Sequence, residues 1–357
     1  MDGLPLVSVI VRTIGRETLA RTLAAIARQT YPRIETVVID AAGRGRLDIR
    51  GGRCVRVVGD GRAHDRAAAA NLGLDHGHGD WLVYLDDDDE FAPPHVEGLL
   101  AAVTRSSHLA AYSDAEAVDM DGRVVKVFAR EYSRIALHQE CLFPLHAVLF
   151  GRGLIALGCR FEPSLALIED WDFWMQVAEH TGFVHVPQRT ARYFVMAGNS
   201  GAGLGANHDQ ARIDDAVRRV GARWQDRREQ LAREHAVQRE RALGLHRAGA
   251  HADAEMLLRH VVEIDPRDVD AATVLAHYAF KAGRAVEAVG LLERAIKDAP
   301  ERPDLHFNLA LALVRNGAHD VARRHLQSAL KLDPGFGPAR AVLATLAGPG
   351  VGNQRSL

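Results

Sequence analysis

Four consecutive carboxylates, Asp86, Asp87, Asp88 and Asp89, directly follow an apolar run of strand length at residues 81–85. Adjacent carboxylates repel one another, so a folded protein keeps them beside a buried strand only where a cation or dense hydrogen bonding offsets their charge. Carboxylate oxygens select hard cations such as Mg²⁺ or Mn²⁺, which complete their coordination with water and phosphate oxygens. The run therefore predicts a Mg²⁺ or Mn²⁺ site that receives a phosphorylated ligand. The alternative is an acidic turn that caps the next helix.

The elements that must position these carboxylates follow an α/β order. β-rich runs alternate with helical patterns over the first ~200 residues, which predicts a largely parallel sheet. The predicted strands lie at residues 6–11, 35–40, 55–58 and 81–85. Leu19, Leu23 and Ile26 recur at helical spacing between the first two strands. Because open α/β sheets bind ligands at the carboxyl ends of strands, Asp40 and the four carboxylates should share one crevice.

Composition and charge exclude several classes of protein. The 357 residues exceed one typical domain, and a formal net charge of -2 argues against a general nucleic-acid binder. Cys54, Cys141 and Cys159 show no metal-ligand spacing, so we expect buried thiols in a reducing compartment. The sequence lacks a signal-peptide pattern, and no apolar run has the ~18 residues of a membrane span. We therefore predict a cytoplasmic protein.

Beyond residue 230 the sequence repeats itself with a period of 34 residues. Three sets of positions show the interval: Gly249, Gly283 and Gly317; Ala254, Ala288 and Ala322; and Pro266, Pro300 and Pro334. This pattern resembles tetratricopeptide repeats, which are pairs of helices that stack into a solenoid. It predicts three repeats at residues 235–268, 269–302 and 303–336, followed by a capping helix at residues 338–346.

The repeats predict a surface for a partner. Stacked helix pairs leave a concave face that commonly holds a peptide or a partner helix. Leu243, Phe280, Phe307 and Leu311 lie at helix positions that would line this groove. The alternative is that they pack between repeats or against the first domain. Three repeats are near the minimum for an independent solenoid, so the repeats are expected to lean on the first domain or on a second copy in a homodimer.

Residues 5–205 resemble the family 2 glycosyltransferases, which have a nucleotide-diphospho-sugar-binding GT-A fold. The segments that carry the resemblance are, in order, VSVIV (7–11), QTYP (29–32), VVID (37–40), ANLG (70–73), GDWL (79–82), LDDDDE (85–90), EDWD (169–172) and NSG (199–201). We therefore predict a GT-A domain at residues 1–225, a charged helical linker at 226–234, the repeat domain at 235–347 and a disordered tail at 348–357.

The resemblance implies a donor site at the acidic run. Asp86 and Asp88 match the outer acids of the D-x-D motif and are the implied metal ligands, with Asp88 the better candidate for direct coordination. Asp87 lies between them in the implied nucleotide-sugar site, to which Asp40 is also assigned. Arg66 lies where relatives often have a basic residue that reaches the nucleotide, and Arg62 is the alternative.

The resemblance implies an acceptor site at residues 169–172. Glu169-Asp170 is similar to the ED motif, whose Asp is the general base of inverting members, so Asp170 is the implied base. Glu169 would orient the acceptor or the base. Trp171 and Asp172 are placed on the acceptor side, although Asp172 alternatively braces the following helix. The cluster as a whole could instead cap that helix.

Three departures from the family pattern bear on specificity. Ala41 follows Asp40 where many members have a second Asp that reads uracil, and Arg12-Thr-Ile14 replaces a common aromatic. Met175-Gln176 stands in place of an Arg common in relatives. A UDP-sugar is the default donor, and dTDP and GDP donors remain open.

These features predict a metal-dependent, inverting glycosyltransferase fused to tetratricopeptide repeats. The acceptor hydroxyl could belong to a glycan, a lipid-linked sugar or a protein, and peripheral association with a membrane is compatible with the second. One rival is an adaptor whose first domain is a degenerate nucleotide-sugar-binding scaffold. Another is a nucleotidyltransferase, for which residues 12–16 are a poor version of the expected glycine-rich loop.

Overall fold

The structure is a computed structural model that describes residues 3–45, 47, 49, 53–119, 121–195 and 210–347. It divides into two compact units, Met1–Arg228 and Glu229–Leu357. The predicted tail and the NSG segment at residues 199–201 lie outside the described residues. Each unit has its own hydrophobic core.

One sheet runs through the first unit. Its strands are β1 (Val7–Thr13), β2 (Ile34–Asp40), β3 (Val55–Val58), β4 (Trp81–Asp86), β5 (Glu90–Phe91), β6 (Ala110–Val118), β7 (Val124–Phe128), β8 (Val148–Gly151) and β9 (Phe183–Phe194). They lie in the order β3-β2-β1-β4-β8-β6-β9-β5, and β7 pairs with β6. The four strands predicted from sequence are β1 to β4.

The sheet is parallel in one half and mixed in the other. The pairs β1–β2, β1–β4 and β2–β3 are parallel, as predicted. β8 is antiparallel to both β4 and β6, whereas β6 is parallel to β9. Because two antiparallel steps restore the direction, β6 runs the same way as β4. The α/β fold is confirmed, and its sheet is less parallel than the sequence indicated.

Helices cover both faces of this sheet. They are α1 (Leu19–Ala27), α2 (Arg66–His76), α3 (His95–Thr104), α4 (Arg134–Leu137), α5 (Gly153–Ala156) and α6 (Glu169–Ala178), with a 3₁₀ turn at Leu145–Ala147. The predicted helical spacing in α1 is confirmed because Leu19, Leu23 and Ile26 are all buried. In β1, Ile10 belongs to one core and Val9 to the other, so the strand is apolar on both faces.

A long helix, α7 (Gln210–Arg247), contains the division between the two units and the predicted linker at residues 226–234. In the first unit, Val220 is buried and Trp224 packs against the core. In the second unit, Leu231 is buried. The linker is helical, and it is not wholly exposed to solvent.

The second unit is an all-α solenoid. Its further helices are α8 (His251–Ile264), α9 (Val269–Lys281), α10 (Ala285–Asp298), α11 (Pro303–Arg315), α12 (His319–Leu332) and α13 (Gly337–Ala347). Gly249, Gly283 and Gly317 occupy the turns within the helix pairs with φ of 80°, 81° and 79°, a left-handed conformation that favours glycine. The predicted repeats and capping helix are therefore present.

The cysteines and the helix lengths bear on two further expectations. Cys54, Cys141 and Cys159 are free thiols. Only Cys159 is fully buried, and Cys54 is exposed, so the expectation of three buried thiols is wrong.

None of the helices in the described ranges combines the length and apolar character needed to cross a bilayer. The cytoplasmic location stays a prediction.

Candidate functional site

The strand order brings the predicted site residues to one edge of the sheet. In the parallel register, Thr13 at the end of β1 lies opposite Asp40 of β2, and Arg12 lies opposite Asp86 of β4. The carboxyl ends of these three neighbouring strands therefore meet where a ligand of an α/β sheet is expected.

A buried arginine joins the two acidic motifs. Arg12 is 6% exposed and donates from Nε and Nη2 to the two carboxylate oxygens of Asp86, at 2.8 and 2.9 Å. Its Nη1 donates to Oε1 of Glu169 at 2.8 Å. Arg66 completes the group, with Nε 3.0 Å from Oε1 of Glu169 and Nη2 3.5 Å from Oδ2 of Asp86. Two carboxylates thus alternate with two guanidinium groups.

This network keeps both carboxylates ionised. Burial alone would raise the pKa of Asp86, but Arg12 and Arg66 outweigh it and hold that pKa well below its usual value. Burial also opposes ionisation of Glu169, and the same two arginines again lower the pKa. The pKa of Arg12 is raised despite its burial because both carboxylates face it. The four side chains form one charge-balanced cluster.

Asp87 holds the loop that follows β1. Its fully buried carboxylate accepts hydrogen bonds from Thr13 Oγ1 at 2.5 Å and from the backbone N–H of Ile14 at 3.2 Å. Arg16 donates to its other oxygen. All these contacts are internal, so in this structure Asp87 positions the loop and does not face the crevice.

The carboxylate of Asp88 is less exposed than that of Asp86, which is 24% exposed, but none of the described arginines lies within hydrogen-bond distance of it. Its side chain is 13% exposed, and Arg16 Nη1 lies 3.6 Å from Oδ2. Burial and the charge of Asp86 raise the pKa of Asp88 to about 6, with Asp87 adding to the effect and Arg16 opposing it. A carboxylate in this position is stabilised by any added positive charge.

The donor set suits a hard divalent cation at Asp88. Among the described residues, no group of three or more His, Cys, Asp or Glu side chains is arranged to hold a metal ion. Mg²⁺ and Mn²⁺ do not require such a group, because one or two carboxylates suffice when phosphate oxygens and water complete the shell. Asp86 is already paired with Arg12 through both oxygens, which leaves Asp88 as the better candidate ligand.

The structure places Asp40 inside its own loop. The side chain is 2% exposed and accepts hydrogen bonds from the backbone N–H groups of Ala42, at 3.2 Å, and Gly45, at 2.8 Å. These bonds make it a turn residue. The nearby cavity is lined by Ala41 and not by Asp40, so the predicted contact between Asp40 and the nucleotide is not made from this conformation.

A cavity of about 100 Å³ opens beside the network. Arg12, Arg16 and Arg66 line it together with Asp86. Arg66 lies at the first turn of α2, whose N-cap Asp65 accepts a hydrogen bond from the Ala68 backbone N–H. The Arg66 side chain is 43% exposed, so this guanidinium can reach a ligand in the cavity. The helix N-terminus together with Arg16 and Arg66 favours an anionic ligand.

The start of α6 presents the second motif. Ile168 precedes it with φ of 54°, a left-handed conformation that is rare for a β-branched residue and costs about 1–3 kcal/mol. Glu169 then turns inward and is 2% exposed. The strained residue directs the Glu169 carboxylate to the two arginines and leaves Asp170 beside it, half-buried.

Asp170, like Asp88, is a carboxylate with a raised pKa. Burial and the neighbouring charge of Glu169 raise the pKa of Asp170 to about 6, against the opposing charges of Arg66 and Arg12. Its Oδ1 accepts a hydrogen bond from the Trp171 backbone N–H at 2.9 Å. A carboxylate with this pKa is ionised at neutral pH and is more basic than an ordinary Asp.

Trp171 and Asp172 do not face the acceptor side in this structure. Trp171 is buried and donates its indole N–H to the backbone carbonyl of Leu137 at 2.6 Å. Asp172 is fully buried and accepts hydrogen bonds from the side chains of Trp224 and Gln176, each at 2.7 Å. Both side chains brace α6 against its neighbours, which is the alternative considered for Asp172.

Sequence reasoning missed Arg12 and Arg16 as site residues. In the sequence, Arg12 marks a departure from the family pattern and begins the poor glycine-rich loop at residues 12–16. Neither feature indicates a site role, although an arginine at the end of a buried strand needs a partner. That signal could have found it, because the neighbouring parallel strand ends in Asp86. The partnership of Arg12 with Glu169, 157 residues away, has no sequence signal.

Two family models match the chain. One, described as glycosyl transferase family 2, matches residues 8–139, and one, described as tetratricopeptide repeat, matches residues 273–335. The first match includes Asp86 and Asp88 and ends before Glu169 and Asp170. Both resemblances predicted from the sequence are confirmed.

Several known proteins are similar to this chain. The uncharacterized glycosyltransferase YwdF of Bacillus subtilis is 26% identical over 217 residues, which are 57% of this chain and 80% of that protein. An uncharacterized glycosyltransferase of Haemophilus influenzae is 24% identical over 205 residues, 55% of this chain and 81% of its own. A solved structure of S. aureus TarS in complex with UDP-GlcNAc is 15% identical, with a TM-score of 0.47 and coverage of 91% of this chain and 92% of that one.

Proposed function

We propose that this chain, which matches the glycosyl transferase family 2 model at residues 8–139 and the tetratricopeptide repeat model at residues 273–335, is an inverting glycosyltransferase with a nucleotide-diphospho-sugar donor. The observation that carries the proposal is the buried network in which Arg12 joins Asp86 of the acidic run to Glu169 of the second motif. Asp88 lies two residues after Asp86, and Asp170 directly follows Glu169. Burial and neighbouring charge raise the pKa of each to about 6, and we assign Asp88 as the cation-binding acid and Asp170 as the base of one centre.

The cationic cavity supports the donor side. Arg66 and Arg16 line it and have side chains that are 43% and 24% exposed, so both can contact the diphosphate. A guanidinium can make two parallel hydrogen bonds to a phosphate group. Asp88 would hold a Mg²⁺ or Mn²⁺ ion, which supplies the positive charge that stabilises the departing diphosphate.

Asp170 supports the acceptor side. Its carboxylate accepts the proton of the acceptor hydroxyl while that oxygen forms a bond to the anomeric carbon. The bond between this carbon and the diphosphate oxygen breaks as the new bond forms. Attack from the side opposite to the diphosphate inverts the configuration in one step. Glu169 stays paired with Arg12 and keeps its negative charge beside the base.

A nucleotide panel tests the donor site. The full-length protein is heated with UDP, GDP or dTDP, each with and without Mn²⁺, and Asp88→Asn is treated in parallel. We expect one nucleotide to raise the melting temperature, with the rise dependent on Mn²⁺ and on Asp88. Turnover is then measured with sugar donors of that nucleotide. No rise with any nucleotide and no turnover would contradict the proposal and favour the adaptor.

The repeat unit supports a second contact, with a protein partner or a protein acceptor. A cavity of about 170 Å³ is lined by Phe280 and Leu311 and also by His277 and Lys281. Phe307 instead packs on Phe336, with ring centroids 5.4 Å apart, and Leu243 packs on the core of this unit. In Leu311→Asp, we expect weaker binding of the partner and unchanged turnover of a small acceptor.

A further inference from the structure

Arg12 occupies a position that a substrate-binding arginine would not. All three guanidinium nitrogens of Arg12 donate hydrogen bonds to protein groups. Nε and Nη2 donate to Asp86. Nη1 donates to Glu169 and to the backbone carbonyl of Arg66, the latter at 3.2 Å. At 6% exposure it is too enclosed to exchange these partners for a phosphate without breaking the cluster. Its contacts are therefore with protein groups on both sides of the reaction centre.

The two carboxylates that Arg12 joins come from distant parts of the fold. Asp86 ends β4, in the motif that holds the donor, and Glu169 begins α6, in the motif that provides the base. Two negative side chains repel each other at close range, so a cation must lie between them. The guanidinium does this with a planar fork that fixes distance and orientation, which a lysine ammonium cannot reproduce.

Arg66 does not make Arg12 redundant. Arg66 also touches both carboxylates, but its contact with Asp86 is 3.5 Å and its side chain is 43% exposed. When Arg66 turns toward a diphosphate, Arg12 is the cation that still holds Asp86 and Glu169 together. The exposed Arg66 is thus suited to bind the ligand, and the buried Arg12 is suited to hold the two carboxylates in place.

We propose that Arg12 is a positioning residue that fixes the base-bearing start of α6 to the donor-bearing end of β4. The proposal rests on the proposed glycosyl transfer. In this arrangement Asp86 serves as the anchor for the arginine, and Asp88 coordinates the cation. Removal of the fork should misplace Asp170 relative to the anomeric carbon, and a misplacement near 1 Å costs about 100-fold in rate.

A double-mutant cycle tests the bridge. Arg12→Lys, Glu169→Gln and the double variant are compared with wild type in the full chain, and kcat and the donor KM are measured with the donor found above. We expect Arg12→Lys to lower kcat by about 100-fold and to change the donor KM by less than about threefold. The double variant should be no slower than the worse single variant, because both changes break one bridge.

The controls separate positioning from general stability. Arg134→Lys weakens another partly buried arginine–glutamate pair, Arg134 with Glu179 at 2.6 Å, which lies outside the site network. It should leave kcat within about twofold of wild type. If Arg12→Lys fails to fold, the cycle of Asp86→Asn and Glu169→Gln replaces it, because both variants retain the arginine and remove one partner each.

The outcomes are distinct. Wild-type kcat in Arg12→Lys, or losses that multiply in either cycle, would overturn the positioning role and leave the proposed function intact. A loss confined to the donor KM would also overturn it, because it would make Arg12 a donor-binding residue. Absence of turnover in wild type would remove the proposed function and this inference with it.

Discussion

At the scale of single residues, neighbouring carboxylates have different environments. Asp86 is paired with Arg12, Asp87 holds the loop after β1, and Asp88 alone keeps a largely unpaired carboxylate. Asp170 and Asp172, which lie two residues apart on α6, also have different environments. Sequence adjacency therefore does not predict a shared role, because each side chain leaves the backbone in a different direction.

Replacement of the base should separate chemistry from binding. In Asp170→Asn, we expect kcat to fall by about 10²- to 10⁴-fold, because the amide cannot accept the hydroxyl proton. The nucleotide-dependent rise in melting temperature should remain. Asp172→Asn is the matched control: its buried carboxylate pairs with Trp224 and Gln176, so we expect lower stability and nearly unchanged kcat. Equal kcat in wild type and Asp170→Asn would contradict the assignment.

At saturating Mn²⁺, the pH dependence of turnover should report the same residue, because a bound cation would keep Asp88, whose pKa is also raised to about 6, ionised. A base must be deprotonated to act, and the pKa of Asp170 is raised to about 6, so kcat should rise with pH and level off above that value. Below pH 6 the decline should approach about tenfold per unit. Glu169→Gln removes the adjacent negative charge and should move the midpoint to lower pH. A flat profile between pH 5 and about pH 8 would argue against Asp170 as the base.

The sequence indicated which residues belong to the candidate site, but it did not indicate which groups their side chains contact. The residue types alone indicate a site at the run after residue 85, whereas the ED pair is indicated by the family resemblance. Asp40 was assigned to the nucleotide, yet its carboxylate bonds to the Ala42 and Gly45 backbone N–H groups. Such a local turn competes with ligand contact in any Asp that follows a strand, and the sequence does not show which one prevails.

At the scale of elements, strand order decides what the site contains. β1 lies between β2 and β4, and this places Arg12 beside Asp86. The sequence predicted β1 to β4, because their apolar runs are bounded by clear breaks. The antiparallel insertion of β8 between β4 and β6 joins residues far apart in the chain, and hydrophobic periodicity carries no information about such pairing.

The close approach of α2 to β1 gives a test at this scale. A Cβ added at Gly73 would overlap Cγ2 of Ile10, which is fully buried in the sheet. We expect Gly73→Ala to lower the free energy of unfolding by about 1–3 kcal/mol, and to weaken nucleotide binding because α2 carries Arg66. Urea unfolding measures the change in the free energy of unfolding, and the thermal-shift panel measures the change in nucleotide binding.

A second helical glycine provides the control. A Cβ at Gly98, within α3, would meet nothing within 4 Å. Gly98→Ala should therefore raise the free energy of unfolding by about 0.5–1 kcal/mol through the helix propensity of alanine. Destabilisation of both variants by similar amounts would show that the contact with Ile10 is not the cause.

At the scale of the whole molecule, the proposed chemistry belongs to one unit. Arg12, Arg66, Asp88 and Asp170 all lie in the unit that ends at Arg228, and that unit has cores on both faces of its sheet. A chain truncated after residue 228 should therefore keep kcat for a small acceptor within about threefold of the full chain. The same truncation should no longer bind a protein partner or a protein acceptor. Complete loss of turnover by a folded truncation would show that the repeats contribute to the reaction centre.

The turn glycines of the solenoid have a consequence for how its length can change. Gly249, Gly283 and Gly317 adopt φ angles within 2° of one another, at the same place in each 34-residue copy. Successive copies thus meet through the same local geometry, and each copy contacts mainly its neighbours. In-frame duplication or deletion of a gene segment that encodes one whole copy preserves every junction. Evolution, and equally a protein engineer, can lengthen or shorten the solenoid in steps of one copy without altering a codon of the catalytic centre.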